Sequence, residues 1–304
     1  MFHVMTHAFF KALLFLAAGS VIHGMGGIQD IRQMGGLRHE MRWTYRTFLA
    51  GTLAIAGIPP LAGFFSKDAV LWAAWNSPDY GKLLWAIGVI AAGFTSFYMF
   101  RLLILTFYGK PRYSHHEVHV HESSISMIVP LIILAIFSIL AGYAGVPAAL
   151  GGENRIETFL SPAGHAVSAE SLEHGSPITE IMLMTASTAV ALGGLALAYL
   201  FYAARPELPA KVAAGANAMY VLLVNKYYID EIYDAIIVSP VLRSSREFLW
   251  KFIDGFMIDG AINGIGRLVR VSAGGLRHMQ TGYVRTYVGW IVFGGILVMA
   301  WFLR

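Results

Sequence analysis

The chain has 304 residues, of which 57% are hydrophobic and only 13% charged, with a net charge of +4 and a mean hydropathy of +0.60. A water-soluble domain carries about 25% charged residues, so the deficit, together with long apolar runs, excludes a soluble enzyme or a nucleic-acid-binding module. The composition gives an all-α integral membrane protein, and the lack of cysteine excludes disulfides and thiolate metal sites. No basic region or small-residue cleavage site marks a signal peptide.

Because about 20 apolar residues cross a bilayer, the hydropathy pattern predicts about six transmembrane helices, near 1–23, 47–77, 83–108, 124–146, 179–203 and 281–303. The first span, HVMTHAFFKALLFLAAGS, carries His3, His7 and Lys11 at four-residue intervals. Residues so spaced share one helix face and climb ~6 Å per step. The stripe is either a polar track along one wall or an accident of a helix end. Steps of ~6 Å exceed a hydrogen bond, so a track needs bridging water.

The second span contains AIAGIPPLAGFFSKD, with Gly57, Pro59, Pro60 and Gly63 close together. Paired prolines remove two backbone donors and bar the residue before each from helical geometry. Unpaired backbone cannot face lipid, so this helix is expected to be broken, with the break buried in protein or lining a wet cavity. Lys67 and Asp68 are placed in the first turn after the break. A bland reading makes Lys67 a snorkelling side chain at a kink. Its central position favours the sharper one, a lysine able to exchange a proton.

Arg101, late in the third span, either serves the proton path or reaches the basic side as a snorkelling side chain, the second reading being favoured, and His23 is read as marking the end of the first helix. HHEVHVHE brings together His115, His116, His119 and His121, which read as a solvated loop rather than a metal site. Loops 24–46 and 109–123 carry Arg32, Arg38, Arg42, Arg46, Lys110 and Arg112, and 204–280 is also basic, whereas the other side has only Lys82, Arg155 and Arg304. By the positive-inside rule the basic loops are cytoplasmic. The stretch 147–178 reads as an outer-side loop without a site.

Between 204 and 280 the apolar residues return at helical spacing. Ile229, Ile232, Tyr233, Ile236 and Ile237 form one stripe, and Leu249, Phe252, Ile253, Phe256 and Met257 repeat it after Pro240. Lys226, Asp230 and Asp234 lie on the other face. This predicts a long amphipathic helix in the interface, interrupted by Pro240.

Four stretches, THAFFKALLFLAAGSVIHG, QDIRQMGGL, GTLAIAGIPPLAGFFSKD and LRHMQTGYVRTY, resemble the subunit L family of NADH-quinone oxidoreductase, respiratory complex I. The mitochondrial subunit 5 type and the subunits of multi-component Na⁺/H⁺ antiporters are similar. The resemblance covers the whole chain but about the C-terminal half of a family member, with Met1 at an interior position, so a fragment is expected. It implies a proton-translocating membrane subunit of an enzyme complex, in the bacterial inner membrane. His3, His7, Lys11, Lys67 and Asp68 would make its proton-transfer path. No cofactor is expected on this chain: NADH, FMN, iron–sulfur clusters and quinone would belong to other subunits.

The same resemblance divides the chain into a truncated second inverted repeat (1–146), an outer loop with one more transmembrane helix (147–203), a lateral helix (204–280) and a C-terminal anchor (281–304). The lateral helix would brace neighbouring antiporter-like subunits or couple them as a moving rod. The alternative function is a subunit of a multi-component Na⁺/H⁺ antiporter or a membrane-bound hydrogenase.

Overall fold

The computed structural model describes residues 1–114, 118–160 and 176–303. It is all-helical among the described residues and divides into two compact units, Met1–Gly215 and Ala216–Arg304.

The first unit is a helical bundle. α1 spans Phe2–Gly24, α2 Arg42–Ala56, α3 Ala62–Trp75 and α4 Gly81–Phe107. α5 spans Ile125–Leu140 and runs on as a 3₁₀ segment, Ala141–Gly145. After the short α6, Arg155–Leu160, comes α7, Pro177–Tyr199, whose last turns, Leu200–Ala204, are π-helical. α8, Leu208–Gly215, closes the unit. Four of these helices are long and apolar enough to cross a membrane: α1, α4, α5 with its extension, and α7. The broken span is α2 and α3, of 15 and 14 residues, each too short to cross alone.

Every long helix of this bundle buries one side and leaves the other apolar and exposed, as a lipid-facing helix does. Phe10, Leu13, Ala17, Phe48, Leu103 and Phe107 fill the core, while Phe94 is 68% exposed. α1 packs on α2, α3 and α5, and α4 packs on α2, α3 and α7.

The two ends of the bundle differ in chemistry. At the basic end Arg112 donates to the carbonyls of Ile31, Arg32 and Leu105, tying the loop after α1 to the end of α4. Met41, the residue before α2, offers no capping side chain. Glu122 from a distant loop takes its place, accepting from Trp43 N at 2.7 Å and from the Thr44 hydroxyl at 2.6 Å. A carboxylate there satisfies a free helical N–H and suits the positive helix end. Ser20 joins the group through the Thr44 and Ser123 hydroxyls. His23, in the last turn of α1, packs edge-on against His121.

The break itself is compact. α2 ends on Gly57 in the left-handed region, φ +79°, and Gly57 N and Ile58 N return to carbonyls of the last turn. The Pro59–Pro60 peptide is cis. α3 then passes so close to α2 that a Cβ on Gly63 would lie 1.8 Å from the Ala54 carbonyl oxygen. No side chain fits there without moving backbone.

In the second unit α9, Asn217–Val224, is followed by a break at Lys226, Tyr227 and Tyr228, all with φ between +51° and +59°. A helix, α10, then runs unbroken over 229–277, and α11, Val284–Phe302, is the fifth helix able to span a membrane. The expected interruption at Pro240 is not found. Proline removes a donor and crowds the carbonyl four residues earlier. Here the preceding turn, Asp234–Val238, widens to π-helix and the chain continues through Ser239–Ser244. The interruption lies instead at residues 226–228, where three left-handed residues reverse the local twist.

The Gly63 crossing generates a test. Gly63→Ala must shift backbone, an overpacking cost of about 1–3 kcal/mol or more, whereas Gly19 on α1 has open space around its Cβ position. Purified in mild detergent, Gly63→Ala is expected to melt several degrees lower, at about 2–4 °C per kcal/mol, with Gly19→Ala unchanged. Equal melting of the two variants would contradict the close approach.

Candidate functional site

α3 positions the site, because its consecutive residues 66, 67 and 68 point about 100° apart and reach three neighbours. Ser66, fully buried, faces α1. Its hydroxyl lies 3.1 Å from His3 Nδ1 and accepts from the Thr6 hydroxyl at 2.7 Å. His3 and His7 follow one another along α1 with ring centroids 5.8 Å apart, and His7 sits edge-on against Phe10.

Lys67 turns back toward the break. Its ammonium Nζ donates to the Ile55 carbonyl at 3.0 Å. Ile55 lies in the last turn of α2, where carbonyls lack helical partners and the helix end is negative. The expected first-turn position is therefore corrected: Lys67 is the sixth residue of α3, beyond the first turn, and it meets the negative end of α2 rather than the positive end of its own helix.

Asp68 points elsewhere, toward α7. It is 7% exposed, and Oδ1 accepts from the Ser187 hydroxyl at 2.7 Å while Oδ2 has no hydrogen-bond partner among the described residues. Lys67 and Asp68, adjacent in sequence, do not pair with each other; one is held by a carbonyl and the other by a serine. A cavity of about 10 Å³, lined among others by Gly57, Lys67, Asp68 and Ser187, joins them. That volume admits one water.

The structure thus gathers His3, His7 and Lys67 around α3, with Asp68 on the adjoining face. Lys11 is not gathered with them. It is exposed and has no hydrogen-bond or ion-pair partner among the described residues. Arg101 holds its guanidinium 5.3 Å from the ring centroid of Tyr202, in the last turns of α7. His115 and His116 lie outside the described residues, and among the described residues no cluster of three metal-ligating side chains occurs.

Sequence reasoning missed Thr6, Ser66 and Ser187. The signal was present, since Thr6 lies three residues after His3 on the same helix face and small hydroxyls inside apolar spans bridge neighbouring helices. What sequence lacked was the neighbour each hydroxyl meets.

Residues 1–95 match the family described as "NADH:quinone oxidoreductase/Mrp antiporter, TM". NAD(P)H-quinone oxidoreductase chain 5 of Picosynechococcus is 41% identical over 98% of this chain and 47% of its own length. NADH-quinone oxidoreductase subunit L of Neisseria meningitidis is 37% identical over 98% of this chain and 48% of its own. The chain is similar to subunit L/chain 5 proteins over nearly its whole length. It spans about half the length of the curated relatives it matches. The solved Mrp complex from Dietzia contains a chain that overlays with a TM-score of 0.45 at 19% identity, covering 99% of this chain and 28% of that one.

The Ser187 contact gives a prediction. Ser187→Ala leaves a buried carboxyl with neither oxygen bonded to protein, a cost of about 1–3 kcal/mol. The expected result is a lower melting temperature for Ser187→Ala and recovery of most of it by Ser187→Thr, which restores a hydroxyl. Identical melting for wild type and alanine variant would show that the bond contributes nothing.

Proposed function

We propose that this chain forms part of a proton-translocating membrane subunit of NADH-quinone oxidoreductase, moving protons along His3, His7, Lys67 and Asp68, with Lys11 supplying the continuation on α1. The observation that carries the reading is a half-buried lysine aimed at the carbonyl end of a broken helix, with a water-sized cavity between it and a buried carboxyl. A broken helix near mid-span is where membrane carriers hold their ions. Histidine titrates near neutrality, and a lysine removed from water can take and release a proton as its neighbours change charge.

In this reading electrons never enter the chain. NADH is oxidised and quinone reduced elsewhere in the complex, on subunits that hold FMN and iron–sulfur clusters, and this subunit answers by moving protons across the bacterial inner membrane. Helix α10 lies against neighbouring antiporter-like subunits, as a brace or a coupling rod. Its support is composition: Ile232, Ile236, Phe252 and Phe256 present large apolar surface along a helix that buries none of its side chains. The family description also names Mrp antiporters, so the second reading is an antiporter subunit exchanging Na⁺ for H⁺. Co-purification with NADH-oxidising subunits favours the first; co-purification with antiporter subunits favours the second.

Lys67→Ala and Lys67→Arg test the path, since arginine keeps the charge but does not deprotonate in proteins. In assembled complexes reconstituted into vesicles, both variants are expected to slow proton delivery through this subunit by about 10²-fold or more. NADH oxidation by the partner subunits with an artificial acceptor stays near wild type. Full proton transport with arginine at 67 would remove Lys67 from the path.

Lys11 is tested by Lys11→Met, which keeps an unbranched apolar stem suited to a membrane helix. The expected outcome is normal assembly with reduced protons moved per NADH. Poor assembly with a normal ratio per assembled complex would make Lys11 structural.

A further inference from the structure

Among the described residues, four buried side-chain polar atoms have no hydrogen-bond partner: Thr52 Oγ1, Thr106 Oγ1, Asp68 Oδ2 and Trp85 Nε1. Two of the four belong to residues lining one cavity. It lies between α3, α4 and α7, measures about 10 Å³, and is lined by Asp68, Trp85 and Glu180 together with Trp72 and apolar side chains. A cavity of this size holds one water if two or more polar groups face it. An acceptor on Asp68, a donor on Trp85 and the carboxyl of Glu180 satisfy that condition. The indole is held in place by Trp75, whose ring packs edge-on at 5.5 Å.

The position of this cavity is as informative as its lining. Asp68 also borders the Lys67 cavity described above, so the two chambers share one carboxyl. From there the lining runs along α3 through Leu71 and Trp72 toward its C-terminal end, to the first turns of α4 and α7. That is the end of the bundle opposite the basic loops. Glu180, in the first turn of α7, is half-buried, with part of its side chain outside the bundle. A carboxyl reaching both a buried cavity and the exterior has the form of a gate residue. Nothing packed in the apolar wall would call for one.

We infer that Asp68, Trp85 and Glu180 hold a single water, and that this unit is the outlet through which protons from the Lys67 cavity reach the non-basic face. The inference rests on the proton-path reading and adds its last leg. A proton leaving the Lys67 ammonium turns it into an amine and the Asp68 carboxylate into an acid. Asp68 then gives its proton to the water as the water gives one of its own to the Glu180 carboxylate. Glu180 releases that proton to the outer solution and Lys67 is reprotonated from the His3 side, so every group ends as it began. Trp85 does not titrate; its N–H fixes the water's orientation, which makes it a positioning residue.

The test uses the complete complex in vesicles, with protons released per NADH as the readout. Glu180→Gln, which keeps shape and removes the titrating group, is expected to lower the ratio to the level of Lys67→Ala. Glu180→Asp is expected to recover a substantial part of it, a rescue that a packing role would not produce. Trp85→Phe, which keeps the ring packing, is expected to slow release several-fold, and a high-resolution structure of the complex is expected to place a water between Asp68 Oδ2 and Trp85 Nε1. A wild-type ratio in Glu180→Gln, with Lys67→Ala impaired, overturns the outlet while leaving the path intact; if Glu180→Gln does not assemble, a wild-type rate in Trp85→Phe overturns it instead. A wild-type ratio in Lys67→Ala would defeat the underlying reading.

Discussion

Backbone that leaves a helix inside a membrane must still find partners, because lipid offers none. The arrangement of the first unit follows from how that requirement is met between Ala56 and Ala62. Gly57 folds the end of α2 back on itself in a left-handed turn, the Lys67 ammonium supplies a donor to the Ile55 carbonyl, and Gly63 lets α3 start against the backbone of α2. Each of these depends on the others. Without the side-chain-free position at 63 the second half-helix could not start so close, and Lys67 would not reach a carbonyl in the last turn of α2.

The lysine that completes the break is also the group on which the proposed chemistry turns. A donor satisfying a helix end needs its proton, while a proton carrier must surrender it. The neighbouring cavity reconciles the two demands, since a water can stand in for one partner while the other changes. Small hydroxyls do the remaining joining. Ser66 connects His3 with Thr6, Ser187 holds Asp68, and Ser20 links Thr44 with Ser123 at the basic end. Serine and threonine suit this task because they bond neighbouring helices without the cost of burying a charge.

The second unit obeys a different constraint. Its long helix, 229–277, contains π turns over Asp234–Val238 and Ser245–Ile258, and an apolar stripe that no side chain of the helix itself covers. Widened turns move the stripe around the helix and accommodate Pro240, so the helix continues where proline would ordinarily end it. Left-handed residues at 226–228 set where it begins.

Much of this was legible in the sequence. Spans at 1–23, 83–108 and 124–146 match α1, α4 and extended α5 to within a few residues, because hydropathy and length alone decide what can cross lipid. The break at Pro59–Pro60 was legible too, since two consecutive prolines remove adjacent donors and bar the residue before each from helical geometry, where a single proline such as Pro130 is accommodated. Local chemistry also singled out His3, His7, Lys11, Lys67 and Asp68, as ionisable groups that an apolar span would not otherwise contain. Tertiary structure decided what those groups meet: that Lys67 turns to Ile55 and Asp68 to Ser187, that Ser66 and Thr6 complete the His3 contact, and that Lys11 stands apart on an exposed face. Two adjacent residues on a helix diverge by about 100°, and which neighbour lies in each direction depends on how the helices cross. That crossing is set by side-chain shape at positions such as Gly63, summed over the bundle, and no single stretch of sequence contains it.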